Sequence, residues 1–177
     1  MKRLVPLILV VLAATASAAF AAQGGPQGKS PAQACKSELA TLGAANFKSL
    51  YAPTGSGANA MGKCVSKRAH AAAANHANAA KTCKAEQAMP EADFRAAHGG
   101  QSFAELYGRN DNDRNAYGKC VSSKAGAADA QQEAATMKAA KACKAERAAG
   151  RAAFTATYGG KAASAFGKCV SSKSKTQ

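Results

Sequence analysis

The chain has no tryptophan, and its one isoleucine, Ile8, falls within the first ten residues. Beyond residue 22 the leucines and valines reduce to Leu39, Leu42, Leu50, Leu106, Val65, Val121 and Val170. The apolar fraction of 47% is inflated by alanine, which makes up about a quarter of the chain. An alanine side chain removes little area from water, at about 25 cal/mol per Å². A core of this composition offsets only part of the conformational entropy of folding. Acidic residues are scarce as well, 10 against 24 lysines and arginines, for a net charge of +14. Several chemical signatures are missing: Cys-x-x-Cys, His-Glu-x-x-His, the nucleophile elbow and the dinucleotide fingerprint. "GGPQGKS" at 24–30 fails as a phosphate loop, because Gln23 stands where the pattern needs glycine and no strand precedes it.

What is present begins with a leader. Lys2 and Arg3 precede an apolar run from Leu4 to Ala14, and small residues offering Ala-x-Ala patterns follow. The spacing predicts a secretory signal peptide over 1–22 and a flexible linker over 23–30. The run is too short to span a bilayer, and no transmembrane segment is expected in the mature chain. Removing the leader takes away Lys2 and Arg3 and leaves +12 on the mature chain. Export to a periplasmic or extracellular space makes disulfides available, and the sequence holds six cysteines.

The cysteines order the chain into three copies of one pattern. "CKSE" at Cys35, "CKAE" at Cys83 and "CKAE" at Cys143 open the copies; "GKCVS" around Cys64, Cys120 and Cys169 closes them. A Phe-x-x-x-Tyr marker stands between: Phe47 and Tyr51, Phe103 and Tyr107, Phe154 and Tyr158. Such internal self-similarity predicts one supersecondary unit used repeatedly. The boundaries follow as module 1 at 31–68, module 2 at 69–124 with an insertion over 90–100, module 3 at 125–173, and a tail at 174–177.

Each module reads as a long helix, a short helix and a long helix, in the order up, down, up. Ser30, Pro31 and Gln33 form a helix start with a capping box, and Gly43 a stop. Cys35, Leu39 and Leu42 fall on one helical face. Asn59, Asn115 and Ser164 are expected to cap the closing helices. Gly62, Gly118 and Gly167 predict a second backbone close by, since glycine inside a helix otherwise costs about 1 kcal/mol. The spacers at 66–86 and 122–146 are alanine-rich and nearly free of glycine and proline, so each is expected to be one helix shared by two modules. Pro90 starts a new helix after Met89. The fold class is therefore all-α, three tandem small modules joined by long shared helices.

The shared helices decide the disulfides. A helix between Cys64 and Cys83 separates them by about 28 Å at about 1.5 Å per residue, whereas a disulfide needs Cα atoms within about 7 Å. The same holds for Cys120 and Cys143. Of the about 15 possible pairings, the symmetric one within modules is expected: Cys35–Cys64, Cys83–Cys120 and Cys143–Cys169.

No catalytic, cofactor or metal residues are assigned. Glu38, Glu86 and Glu146 recur three residues after the first cysteine and are expected to pair with Lys63, Lys119 and Lys168. His70, His76 and His98 have no ligand spacing. Asp111, Asp113 and Asn115 resemble the start of a calcium loop, but Ala116 replaces its glycine and Ser122 its closing glutamate. Lysine and arginine cluster at Lys63, Lys67 and Arg68 and along Lys138, Lys141, Lys144, Arg147 and Arg151, a candidate basic surface. The expected function is a non-enzymatic structural or binding role at the cell exterior, with an anionic cell-surface polymer or lipid headgroups as partner. Aromatics are too few for nucleic acid. The competing readings are a secreted thiol-redox factor or other small enzyme, and a cationic membrane-active protein.

Overall fold

The computed structural model describes residues 29–54, 57–108 and 114–175. The leader, the linker through 28, Asp111 and Asp113 of the calcium-like turn, and residues 176–177 of the tail lie outside them. Eight helices and no strand occur among the described residues: α1 (Pro31–Leu42), α2 (Ala44–Tyr51), α3 (Ala60–Gln87), α4 (Glu91–Ala97), α5 (Phe103–Tyr107), α6 (Ala116–Ala149), α7 (Arg151–Tyr158) and α8 (Ala162–Lys175). The class is all-α, as the composition and spacing require.

The start of α1 carries the expected capping box. The Gln33 amide donates to Ser30 Oγ at 3.3 Å and the Ser30 amide to Gln33 Oε1 at 3.0 Å. Gly43 ends it at φ 77°, a conformation that suits glycine. α3 and α6 are the shared helices, 28 and 34 residues long, and each carries two cysteines. Their alanine-rich sequences hold no proline and, beyond the first turn, only Gly126, so nothing interrupts the backbone ladder. The insertion of module 2 forms α4 after Pro90, and its Phe94 is buried, stacked on His98 at 4.0 Å and edge-on to Phe103 at 5.6 Å.

Three local expectations need correction. Asn59 and Asn115 do precede α3 and α6, but neither side chain makes a capping hydrogen bond. Instead each amide oxygen lies over the glycine three residues on: a Cβ at Gly118 would sit 3.0 Å from Asn115 Oδ1, and one at Gly62 would overlap Asn59 Oδ1. The glycines of the first two copies thus make room for a side chain, and among these three only Gly167 faces another backbone: a Cβ there would sit 3.4 Å from the Ser49 carbonyl oxygen. Ser164 is not a cap, because α8 already begins at Ala162; its hydroxyl donates to the Lys161 carbonyl at 2.9 Å. At the other end α8 runs to Lys175 and takes in the first two residues assigned to the tail.

The long helices also do not run up, down, up. Asn75, eight residues before Cys83, donates to Asp129, nine residues after Cys120, at 2.7 Å, while Cys83 and Cys120 are themselves joined. α3 and α6 are therefore antiparallel. Likewise Thr136 and Lys138, before Cys143, share a cleft with Ser171 and Ser174, after Cys169, so α6 and α8 are antiparallel too. The reason is length. α2 and α7 span only about 12 Å at about 1.5 Å per residue and α5 less, too short to carry the chain back along a long helix. They act as crosspieces.

The core lies in three patches. Phe47, Tyr51, Ala60 and Cys35–Cys64 form one; Ala79, Val121, Ala125 and Cys83–Cys120 another; Phe154, Phe166, Val170 and Cys143–Cys169 the third. Leu42 of α1 is buried in the third patch, and Leu50 of α2 packs against both the first and the third. Modules 1 and 3 are thereby joined, with α2 lying on α8.

Candidate functional site

Each module closes at a disulfide, and the pairing is the one expected: Cys35–Cys64, Cys83–Cys120 and Cys143–Cys169, all with Cα atoms 6.0 Å apart. No cysteine is free. Around every disulfide stands the same trio. The glutamate three residues past the first cysteine projects across the bridge, the tyrosine of the marker helix donates its hydroxyl to it, and a cation four residues past the second cysteine pairs with it.

In module 1 the Tyr51 hydroxyl donates to Glu38 Oε2, Arg68 pairs with Glu38 Oε1, and Oε2 lies 3.8 Å from Cys64 Sγ. In module 2 Tyr107 donates to Glu86 at 3.3 Å and Lys124 pairs with it at 2.9 Å. In module 3 Tyr158 donates to Glu146 at 2.9 Å and Lys173 pairs with it at 2.8 Å. The expected partners Lys63, Lys119 and Lys168 are not used. A residue next to the cysteine points about 100° round the helix from it, while one at i+4 lies on the cysteine's own face. The Lys119 ammonium donates instead to the Gly108 carbonyl at the end of α5, where the helix dipole is negative.

The trios form a graded series. The carboxyl side chain is 0% exposed at Glu38, 16% at Glu86 and 41% at Glu146. Burial pushes the Tyr51 hydroxyl up to about 12. Burial also raises Tyr107, against the opposing pull of Lys124. At the exposed end, hydrogen bonds from Lys173 and then Tyr158 hold the Glu146 carboxyl below its usual range. These trios contain no free nucleophile and no unpaired base, and their chemistry is that of a bolt.

Compared with known proteins, the chain matches no family model, no curated protein and no solved structure. Function must be sought on the surface. There the six glutamates are all engaged by cations: Glu38, Glu86 and Glu146 in the trios, Glu133 with Lys29 at 2.8 Å, and Glu91 and Glu105 with Arg95 at 2.8 and 3.1 Å. The charge left over is overwhelmingly positive.

The eight residues of the expected basic surface do not converge. Lys67, Arg68 and Lys138 line one open cleft of about 1320 Å³ between α2, α3, α6 and α8. Lys63, Lys141, Lys144 and Arg151 are exposed outside it. Arg147 is half-buried: its guanidinium lies 4.9 Å from the Phe166 ring centre and donates to buried Asn46, which ties α6 to α2 and α8. A step of three residues turns about 60° short of a full circle, so the row from Lys138 to Arg147 winds from one side of α6 to the other. The cleft adds two cations that were not part of the expected basic surface, Lys168 and Lys175 on α8. Only the antiparallel placement of α8 against α6 brings them there. A second cleft, of about 560 Å³ between α1, α3 and α6, is lined by Lys29 and Arg68 together with Asp129 and Glu133. Its charges offset one another.

Proposed function

We propose that the mature chain is an exported, non-enzymatic binding protein that holds an anionic polymer at the cell exterior. The observation that carries this is the consumption of every glutamate by an internal cation, which leaves a surface of surplus lysines on a disulfide-fastened frame. A field of one sign draws oppositely charged partners and loses strength with salt. The frame supports a place outside the reducing interior. All six cysteines are joined and fully buried, so a thiol-redox role would have to start from an inaccessible disulfide. No helix among the described residues is long and apolar enough to cross a membrane. The test is retention of the oxidised protein on immobilised anionic polymers over a salt series. Retention at low salt that fades towards about 0.5 M is expected, as screening shortens the reach of charge to a few Å. No retention at low salt on any polyanion rejects the reading.

A further inference from the structure

Resting on that reading, we infer that the cleft between α2, α3, α6 and α8 is the binding site, and that its ligand is a linear acidic polysaccharide. Five cations line it, Lys67, Arg68, Lys138, Lys168 and Lys175, and no acidic residue does. Arg68 is held by Glu38, whereas Lys138 and Lys175 make no ion pair or hydrogen bond among the described residues. Lys67 stands with its ammonium 6.0 Å from the Tyr51 ring centre. In a chain whose glutamates are all paired, lysines left without a counter-ion beside one cleft are the groups a carboxylate or sulfate would meet.

The rest of the lining selects among polyanions. Gln131, Gln132 and Ser171 supply groups that bond sugar hydroxyls in either direction, while Thr136 and Ser164, whose hydroxyls donate to the Gln132 and Lys161 carbonyls, offer acceptors. The lining residues of α6 run from 128 to 138, which gives a trough about 15 Å long at about 1.5 Å per residue. That takes several units of a linear chain. The only aromatic lining it is Tyr51, which is 8% exposed with its hydroxyl spent on Glu38, so bases find no stacking platform. Among the described residues the exposed large apolar side chains, Met89 and Tyr117, lie outside the cleft, so its rim presents no large apolar side chain to a bilayer.

The experiment measures binding of the full oxidised chain to polygalacturonate at about 0.1 M salt, where charges still act over about 10 Å. Neutral dextran, single-stranded DNA and phosphatidylglycerol vesicles serve as comparison ligands. Two triple variants of equal charge change are compared: Lys67→Glu, Lys138→Glu and Lys175→Glu in the cleft, and Lys81→Glu, Lys141→Glu and Lys144→Glu outside it. The cleft variant is expected to bind about tenfold or more weakly, and the outer variant within about threefold of the parent. Equal weakening by both sets overturns the cleft but leaves the polyanion reading standing. DNA or vesicles bound as tightly as polygalacturonate overturn the polysaccharide. No binding to any polyanion overturns both readings. Amide shift mapping on the unmodified protein with an oligogalacturonate guards against a misfolded variant. Shifts at Lys67, Lys138 and Ser171 are expected, and shifts confined to other faces overturn the assignment.

Discussion

Glu38 is shut off from solvent, with Arg68 on one carboxyl oxygen and the Tyr51 hydroxyl on the other. Removing one partner of a buried pair leaves an uncompensated charge, which costs about 3–5 kcal/mol. The half-exposed pair of Lys173 and Glu146 is screened by water and contributes far less. Urea unfolding of oxidised variants should therefore rank Arg68→Ala as most destabilising, Lys124→Ala as intermediate and Lys173→Ala as least; equal losses would mean that the trios do not differ in burial. Tyr51 gives a pH dependence. The unfolded chain releases its tyrosine proton near pH 10, and the folded chain holds that of Tyr51 to about 12. Its contribution is thus complete below pH 10 and is lost as the pH rises from 10 to 12. The difference corresponds to about 2–3 kcal/mol. Tyr51→Phe should lose about 1.5–3 kcal/mol at neutral pH through the bond to Glu38 and show a flatter decline between pH 10 and 12 in alkaline unfolding curves. The glutamates and the Phe-x-x-x-Tyr rings were legible from recurrence at fixed spacing. Arg68, Lys124 and Lys173 were equally periodic, but adjacency to the cysteine drew attention to the wrong lysines, and only the helical face sorts them.

The long helices were the most legible elements, because a run of alanine without breakers leaves the backbone no competing structure. Their exposed middle is where they are testable as rods. Ala74 is exposed on α3 between Cys64 and Cys83. Ala74→Pro removes a backbone bond and collides with the preceding turn, and should cost about 3 kcal/mol or more, read as a drop in melting temperature with the disulfides intact. An unchanged melting temperature would show that α3 is not continuous. The docking of α2 on α8 was not legible, since no periodicity in one helix names its partner. Gly167 was a trace of it, and the same residue in the first two copies answers to an asparagine side chain instead. At Gly167 a methyl group would meet the Ser49 carbonyl oxygen at 3.4 Å, ordinary contact, with the Leu50 carbonyl oxygen next at 3.7 Å, so a longer side chain would press on α2. Gly167→Ala should stay within about 1 kcal/mol of the parent, whereas Gly167→Leu should lose about 1–3 kcal/mol through overpacking. Equal stability of the two would show that α2 does not rest there.

At the scale of the whole molecule, three scant core patches are fastened by three disulfides whose cysteines are all fully buried. The pairing was legible because rods of known rise keep neighbouring bridges apart. That the modules share a core was not, since Leu42 and Leu50 carry no mark of belonging to a patch built by α6, α7 and α8. The closed loops have sequence separations of 29, 37 and 26 residues. Chain entropy assigns loops of this size nearly the same value, about 3.5–4 kcal/mol each. The sum is on the order of 10 kcal/mol, as large as the whole stability of an ordinary domain. Full reduction should therefore abolish cooperative folding at about 37 °C and leave a far-UV signal of partial, fraying helix. Because Leu42 and Leu50 tie module 1 to module 3, losing one bridge should not release one module alone. Replacing Cys143 and Cys169 with alanine should lower a single shared transition, with tyrosine absorbance and helical ellipticity still coincident on heating. Two separated transitions, with the first following only Phe154 and Tyr158, would mean that the modules fold as independent beads and that the contact of α2 with α8 stabilises nothing.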